Sequence, residues 1–280
     1  MLLKPAKWIF LVACILVVSN DAVSTTSQNE GNDPENSLQV VTYNIGNMKG
    51  AEGLETISRA IATMGVPDLL LLQEAHGEFA TRLLAKNLSL PHFVYSDYRG
   101  RNNGLAILSG KPLKGRAHIF FTQSVSGYGA LAAELIVGHS RILVCSLHLD
   151  RTSRVRRNGS VTWRTVFGLF KRELFDDTVR VRSVDELFVW LKGFQPDDVI
   201  IGGDFNTFPL SRPIRKMGER FDDALWPSRD YLTGTYTDVD FPLQPRIDFI
   251  FHSSGMKCNT ASVIKAGGSD HYPVRAVFEY

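Results

Sequence analysis

The sequence predicts an α/β fold in which short buried strands alternate with amphipathic helices. Residues 199–201 form a β-branched run, and four consecutive leucines follow Asp68; both runs are typical of strands buried on two faces. Before the leucines, Leu54, Ile57 and Ile61 recur at helical spacing. A chain of 280 residues with 44% hydrophobic and 21% charged residues suits one large domain or two small ones, and no linker marks a second.

The first half of the chain mixes two-residue and helical periodicities. These patterns predict strands at 38–43, 68–72, 92–95 and 105–108, with helices from about residue 52 and over 77–87. Gly65 and Pro67 end the first helix, because neither residue continues helical geometry well. Three further strands, at 113–121, 130–137 and 141–149, are expected to form an antiparallel meander with 138–140 as a hairpin turn.

The second half continues the alternation. It predicts a helix at 178–192, the strand at 199–201, a short helix after Ser211, and strands at 246–251 and 273–280. Ser211 is the predicted N-cap of the short helix, and Pro213 lies in its first turn, where a missing N–H costs nothing. Cys145 lies inside an apolar run, which favours a buried free thiol over a disulfide.

The start of the chain predicts export. Residues 8–18 are apolar but too few to span a bilayer as a helix, and 22–24 have the small-residue pattern of signal-peptide cleavage. Residues 11–14 also match a bacterial lipobox with Cys14 as the lipidated residue, and an uncleaved anchor is a third interpretation. We therefore assign 1–24 to a signal peptide or a membrane or lipid anchor, 25–37 to a disordered polar linker, and 38–280 to the folded domain.

Polar side chains stand at or just past the ends of the predicted strands. Asp204 and Asn206 follow two glycines after the strand at 199–201, and on an extended chain they point the same way. A carboxylate beside a carboxamide suits a divalent cation and a phosphate oxygen, although these residues also occur in turns. Strand ends carry eight such residues: Asn44, Glu74, His148, Asp204, Asn206, Asp248, Asp270 and His271. Because sites in α/β folds form where strand ends converge, this pattern predicts one shared site.

Six short motifs, in this order, resemble those of the endonuclease/exonuclease/phosphatase superfamily, which includes pancreatic-type deoxyribonucleases, AP endonucleases, neutral sphingomyelinases and phosphoinositide phosphatases. They are Thr42-Tyr43-Asn44, Leu72-Gln73-Glu74, Ser146-Leu147-His148, Gly203-Asp204-Phe205-Asn206, Arg246-Ile247-Asp248-Phe249-Ile250 and Ser269-Asp270-His271-Tyr272-Pro273-Val274. The resemblance covers the whole predicted domain, 38–280. It implies a four-layer sandwich of two packed mixed β-sheets flanked by helices, with the site at one edge of the sheets.

The resemblance also implies a metal-dependent hydrolase of phosphoric esters that uses Mg²⁺, with Mn²⁺ as an alternative. The implied metal ligands are Glu74, Asn44 and Asp270, the last directly or through water. The implied catalytic residues are His148, Asp204, Asp248 and His271. Asp204 would orient or deprotonate the attacking water, and Asp248 would hold the His271 ring. The implied phosphate-binding residues are Asn206, Asn103 and His148.

Two departures from the superfamily pattern argue against an abasic-site repair enzyme, as does export. Gly46 stands where AP endonucleases carry an acid, and His148 stands where they carry an aromatic residue near the leaving group.

The substrate prediction depends on residues 151–182, which hold nine basic against three acidic residues. Trp163, Phe167 and Phe170 fall on one side at helical spacing, which suits a lipid interface with anionic headgroups. A helix docking its apolar stripe on the core would have the same pattern. Because the rest of the mature chain is acidic on balance, we expect a phospholipid or a lipid-linked phosphate rather than nucleic acid.

Two other functions stay open from the sequence. A secreted deoxyribonuclease-like endonuclease is the alternative, and a non-catalytic binding module on the same fold is the third. We expect a monomer that contacts a membrane surface through 151–175 and acts outside the cytoplasm, secreted or anchored by its N-terminus. The sequence does not distinguish a diester from a monoester substrate.

Overall fold

The structure is a computed structural model that describes residues 37–46, 50–151, 168, 171–226, 228–238 and 244–280. The predicted signal or anchor segment, linker residues 25–36 and the aromatic positions 163, 167 and 170 lie outside the described residues. Of the helices in the described ranges, none combines the length and the hydrophobicity that a membrane span requires.

Two mixed six-stranded sheets form the centre of the domain. The first contains β1 (Ser37–Asn44), β2 (Leu69–Ala75), β3 (His92–Asp97), β4 (Gly104–Ser109), β11 (Lys257–Val263) and β12 (Val274–Glu279), in the order β11-β12-β1-β2-β4-β3. The second contains β5 (Leu113–Phe120), β6 (Gly129–Val137), β7 (Ser140–His148), β8 (Asp198–Asp204), β9 (Asp222–Asp223) and β10 (Asp248–His252), in the order β5-β6-β7-β8-β10-β9. The pairs β1–β2 and β7–β8 are parallel, and the other neighbouring strands pair antiparallel.

Helices cover the outer face of each sheet. Helices α1 (Gly50–Thr63) and α2 (Gly77–Asn87) pack on the first sheet, and α3 (Val179–Leu191) and α4 (Arg212–Met217) on the second; a 3₁₀-helix spans Arg229–Leu232. Along β1, Leu38 and Val40 face the second sheet, whereas Val41 and Tyr43 face the helices, as the two-residue period of a strand requires. Strands buried on both faces explain the long apolar runs. The predicted four-layer sandwich is confirmed.

Three local predictions differ from the structure. The sequence predicts no strand at 257–263, where β11 pairs with β12 alone at the sheet edge and shifts register between Cys258 and Thr260. Such a partly exposed, irregular edge strand lacks the hydrophobic alternation that marks a strand in sequence. Strand β10 starts at Asp248 rather than at 246, because the N–H of Ile247 donates to the Thr235 hydroxyl instead of to a neighbouring strand. Ser211 precedes α4 as predicted, but its side chain makes no capping hydrogen bond.

A buried ion pair between Arg180 and Glu173 connects the segments that follow β7 and β8. Arg180, in α3, contacts both carboxylate oxygens of Glu173, and its Nη1 donates to the carbonyl of Asp150 at 2.9 Å. Thr207 donates its hydroxyl hydrogen to the same carboxylate at 3.1 Å. Asp150 and Thr207 come shortly after the ends of β7 and β8, so this pair anchors the loops that leave the site.

We expect Glu173→Ala to lower the free energy of unfolding by roughly 3–5 kcal/mol, because it leaves the buried Arg180 guanidinium without its counter-charge. Urea denaturation followed by circular dichroism measures the change. The matched control is Glu55→Ala, which breaks an exposed pair with Arg59 and should cost less than about 1 kcal/mol. Equal losses in the two variants would contradict an anchoring role for Glu173.

Candidate active site

The topology brings the predicted site residues to one edge of the two sheets. In the parallel pairs, Asn44 lies in register with Gln73, beside Glu74, and His148 lies in register with Asp204. Strand β10 runs antiparallel to β8, so Asp248, its first residue, pairs with Asp204 at the same edge. Asp270 and His271 precede β12, which runs antiparallel to β1. All eight residues noted at strand ends therefore converge at this edge. Four of them, Asn44, His148, Asn206 and His271, lie within 4 Å of the Asp204 carboxylate.

Asp204 is the centre of this arrangement. Its Oδ2 accepts from Asn44 Nδ2 at 3.1 Å and from Asn206 Nδ2 at 3.2 Å, and it lies 3.3 Å from His148 Nε2 and 3.9 Å from His271 Nε2. Burial alone would raise the pKa of Asp204, but His148, the charge of His271 and the Asn206 backbone N–H lower it to about 2. The residue is therefore a buried, fully ionised carboxylate surrounded by donors.

The glycine pair before Asp204 allows this close assembly. A Cβ on Gly203 would lie 2.0 Å from the carbonyl oxygen of Leu147 in β7, so only glycine fits there. Asn206 follows in the left-handed region, with φ at 50°, and its Nδ2 also donates to the carbonyl of Leu149. Asparagine tolerates this conformation better than most residues.

Asp248 and His271 form the predicted dyad. Their Oδ2 and Nδ1 atoms are 2.9 Å apart, and both side chains are buried. Burial lowers the pKa of His271, but the charge and hydrogen bond of Asp248 outweigh it and raise the pKa to about 9. Burial raises the pKa of Asp248 as well, so the pair retains one proton at neutral pH. His271 thus presents a protonated Nε2 to Asp204.

The raised pKa of His271 predicts a pH dependence of stability. Its contribution is fully present below the ordinary value of 6.5 and is lost as pH rises towards about 9, on the order of 3 kcal/mol in total. The melting temperature should therefore fall as pH rises from 6.5 to about 9. In Asp248→Asn this fall should be smaller, because the carboxylate that raises the pKa of His271 is absent. An unchanged fall in the variant would assign the effect to another group.

Glu74 is held in an unusual conformation near the end of β2. Its φ is 56°, and the pairing of β2 with β4 shifts register between Leu72 and Ala75. Positive φ is strained for glutamate, and such strain is found where a side chain is aimed at a site. The carboxylate pairs with Arg151, whose Nη2 lies 2.5 Å from Oε1. Burial alone would raise the pKa of Glu74, but His148 and Arg151 lower it below its ordinary value.

Glu74 and Asn44 form a cradle that fits a small hard cation. A Cβ on Gly46 would lie 2.5 Å from Glu74 Oε2 and 3.3 Å from Asn44 Oδ1, so both oxygens face the same small space. The Asn44 amide is oriented unambiguously, because its NH₂ donates to Asp204 and its oxygen accepts from the Gly46 N–H. One carboxylate and one amide oxygen are ligands that Mg²⁺ accepts while retaining water. An acid at Gly46 would displace Glu74.

Asp204, Asp248 and His271 form a second group of possible ligands, with donor atoms within 4.8 Å of one another. This group fits a cation less well than the cradle does. Its imidazole, protonated at neutral pH, already places one positive charge between the two carboxylates. Asp270 lies on the Asn44 side, where Ser269 donates its hydroxyl hydrogen to the Asn44 carbonyl at 2.7 Å.

The sequence analysis did not identify two tyrosines that contact His148. The Tyr98 hydroxyl lies 2.7 Å from His148 Nδ1, and the Tyr128 ring stacks on the imidazole with centroids 3.8 Å apart. Both come from loops that carry no motif, so no sequence signal distinguished them from other buried aromatic residues. Asn103, a predicted phosphate contact, accepts the Tyr98 backbone N–H at 2.8 Å. In the described part of the chain, the Asn103 side chain makes no hydrogen bond to the other site residues.

Comparison with known proteins matches this geometry to one family. The model of the Endonuclease/Exonuclease/phosphatase family matches residues 41–271. A protein of this family from Bacteroides thetaiotaomicron is 16% identical with a TM-score of 0.66, over 87% of this chain and 98% of that one. TDP2 from D. rerio, complexed with a single-strand DNA product, is 15% identical with a TM-score of 0.64, over 87% of this chain and 99% of that one. SmcL is 17% identical with a TM-score of 0.62, over 87% of this chain and 99% of that one.

At these identities the solved structures demonstrate a shared fold alone. A comparison with curated protein sequences finds no match. The family model, however, spans most of the chain and contains the strand-end residues from Asn44 to His271. The chain is therefore a member of the endonuclease/exonuclease/phosphatase family.

Proposed function

We propose that this protein is a divalent-cation-dependent hydrolase that acts outside the cytoplasm on a phospholipid or a lipid-linked phosphate. One observation carries the catalytic part of the proposal: the buried, ionised Asp204 has Asn44, His148 and His271 around a single oxygen. Proteins of this family are metal-dependent phosphoester hydrolases. A binding module on the same fold would be free to lose such residues, and this chain retains all of them.

The charges of the site assign separate roles to its residues. Glu74 and Asn44 would hold the cation, which when bound supplies Lewis-acid stabilisation of charge on the phosphoryl group. A carboxylate with a pKa of about 2 is a weak base, so Asp204 is suited to orienting the attacking water rather than to removing its proton. His271, protonated at neutral pH, is suited to donating a hydrogen bond to a phosphoryl oxygen.

An anionic substrate is supported by the rim of the site. Arg151 is 62% exposed beside Glu74 and begins the basic segment of the sequence. Val125 is 93% exposed in the turn after β5, and the Arg99 N–H donates to Gly127 in that turn. An exposed apolar residue in a turn that contacts the Arg99 backbone suits the boundary between headgroups and acyl chains. The lipid proposal also rests on the sequence of Trp163, Phe167 and Phe170 and on the export pattern.

A nucleic-acid substrate is the second candidate. The D. rerio TDP2 of similar fold is complexed with single-strand DNA, and arginines at a site rim also suit a phosphodiester backbone.

The deciding experiment is a substrate panel with the purified protein and Mg²⁺. Vesicles that contain sphingomyelin, phosphoinositides or polyprenyl pyrophosphate are compared with plasmid and single-stranded DNA, and Asp204→Asn is the inactive control. Turnover of a lipid substrate well above that of DNA supports the proposal. Preferential cleavage of DNA would overturn the lipid assignment, and no turnover of any phosphoester would overturn the enzymatic one. Fractionation of expressing cells tests export separately.

A further inference from the structure

We propose that Tyr98 is a positioning residue that fixes which ring nitrogen of His148 carries the proton. Tyr98 follows β3 and is 1% exposed, and its hydroxyl lies between the Glu74 backbone and the His148 ring. The tautomer assignment depends only on these contacts. Its kinetic consequence rests on the proposed function.

The hydrogen bonds of the Tyr98 hydroxyl leave one consistent arrangement. Among the described residues its Oη has two partners, the Glu74 N–H at 3.0 Å and His148 Nδ1 at 2.7 Å. A backbone N–H can only donate, so Oη accepts there. His148 Nδ1 is then the one acceptor among the described residues for the buried hydroxyl hydrogen, and pointing that hydrogen elsewhere would leave a buried donor unsatisfied. A ring nitrogen that accepts a hydrogen bond carries no proton. The proton of the neutral His148 ring therefore lies on Nε2.

The opposite side of the ring agrees with this assignment. His148 Nε2 lies 3.3 Å from Asp204 Oδ2, in an orientation that falls short of hydrogen-bond geometry. An ionised carboxylate only accepts, so it favours a protonated Nε2 and disfavours a lone pair in that position. Asp204 thus favours the same tautomer but makes no hydrogen bond to the ring, so the 2.7 Å contact with the Tyr98 hydroxyl is the one that fixes it.

The aromatic contacts prevent the ring from turning over. Tyr128 stacks on the His148 ring at an interplanar angle of 12°, and Tyr98 meets it edge-on with centroids 5.5 Å apart. The rings of the two tyrosines also contact each other, with centroids 4.7 Å apart. Because His148 is fully buried, a flip would require these rings to separate. The ring is therefore held in orientation by packing and in tautomer by the Tyr98 hydroxyl.

This arrangement gives His148 a defined chemical role in the proposed reaction. A neutral ring with its proton on Nε2 can donate a hydrogen bond to a phosphoryl oxygen, whereas the other tautomer would present a lone pair there. The same hydroxyl also binds the backbone of Glu74 in its strained conformation. Tyr98 thus links the predicted metal ligand to the predicted phosphate-binding histidine.

The test is Tyr98→Phe, which removes one buried oxygen and keeps the ring. The matched control is Tyr95→Phe in β3, where the lost hydroxyl donates to Asp97 and touches no site residue. The primary readout is long-range ¹H–¹⁵N NMR of metal-free, substrate-free protein with labelled histidine, with His148→Gln identifying the signals. At a pH at which the His148 ring is neutral, we expect a protonated Nε2 and an unprotonated Nδ1 in the wild type and in Tyr95→Phe, and a mixture of tautomers in Tyr98→Phe.

The second readout is kcat and KM, measured with the phosphoester that the substrate panel identifies. We expect Tyr98→Phe to lower kcat roughly 10- to 100-fold with little change in KM, and Tyr95→Phe to match the wild type. A wild-type spectrum of the neutral His148 ring with its proton on Nδ1 would overturn the inference without any variant. An unaltered tautomer in Tyr98→Phe would overturn it as well. Because the NMR readout needs no turnover, failure of the proposed function leaves this test intact.

Discussion

Replacing Asp204 with asparagine is expected to lower kcat by roughly 10³- to 10⁴-fold while the protein remains folded. The substitution keeps the shape of the side chain but removes its charge. An amide at this position would present either NH₂ to donors or an oxygen too weak to balance the protonated His271. It would also weaken the hydrogen bond that orients Asn44 towards the cation cradle.

The matched control for this prediction is Asp198→Asn, at the opposite end of the same strand. Asp198 is half-buried and lies far along β8 from the site, so its loss should leave kcat near the wild-type value. Steady-state kinetics, with circular dichroism to verify the fold, compares the two variants. A folded Asp204→Asn enzyme with near-normal kcat would mean that the catalytic centre is misassigned.

Glu74→Gln is expected to abolish most Mg²⁺ binding and to lower kcat/KM by roughly 10³-fold, because the cradle loses its one charged oxygen. Isothermal titration with Mg²⁺ measures binding independently of turnover. The control is Glu78→Gln, four residues further on, where an exposed pair with Arg82 is lost and no change in metal affinity is expected. Full turnover of the wild type in excess chelator would refute the metal assignment.

Gly46→Ala tests the same cradle without removing a charge. The added Cβ would come within 2.5 Å of Glu74 Oε2, so the carboxylate must move away from Asn44. We expect weaker Mg²⁺ binding in this variant. Gly110→Ala is the neutral control, because its Cβ would meet only Leu90 at 3.8 Å. Equal metal affinities in the two glycine variants would place the cation elsewhere.

The residue patterns by themselves were enough to predict an α/β fold and one shared site at the strand ends, and the family resemblance of the six motifs implied the four-layer sandwich. Strands such as β2 and β8 are buried on both faces, so their apolar runs are visible without the structure. The ends of parallel neighbours such as β7 and β8 meet at one edge, so polar residues after them converge whatever the detailed packing. The six ordered motifs then pointed to the family. Export, the lipid substrate and the membrane-facing role of 151–175 stay predictions.

What only the tertiary structure decided are the features that depend on contacts between distant segments. Tyr98 reaches His148 across 50 residues of chain, and Asn44 reaches Asp204 across 160, so neither contact leaves a local pattern. The conformation of Glu74 accompanies a register shift between β2 and β4. Strand β11 forms by pairing with β12, at the edge of the first sheet. Local sequence encodes burial and turn chemistry, whereas tautomers, pKa values and ligand cradles come from the neighbours that folding brings together.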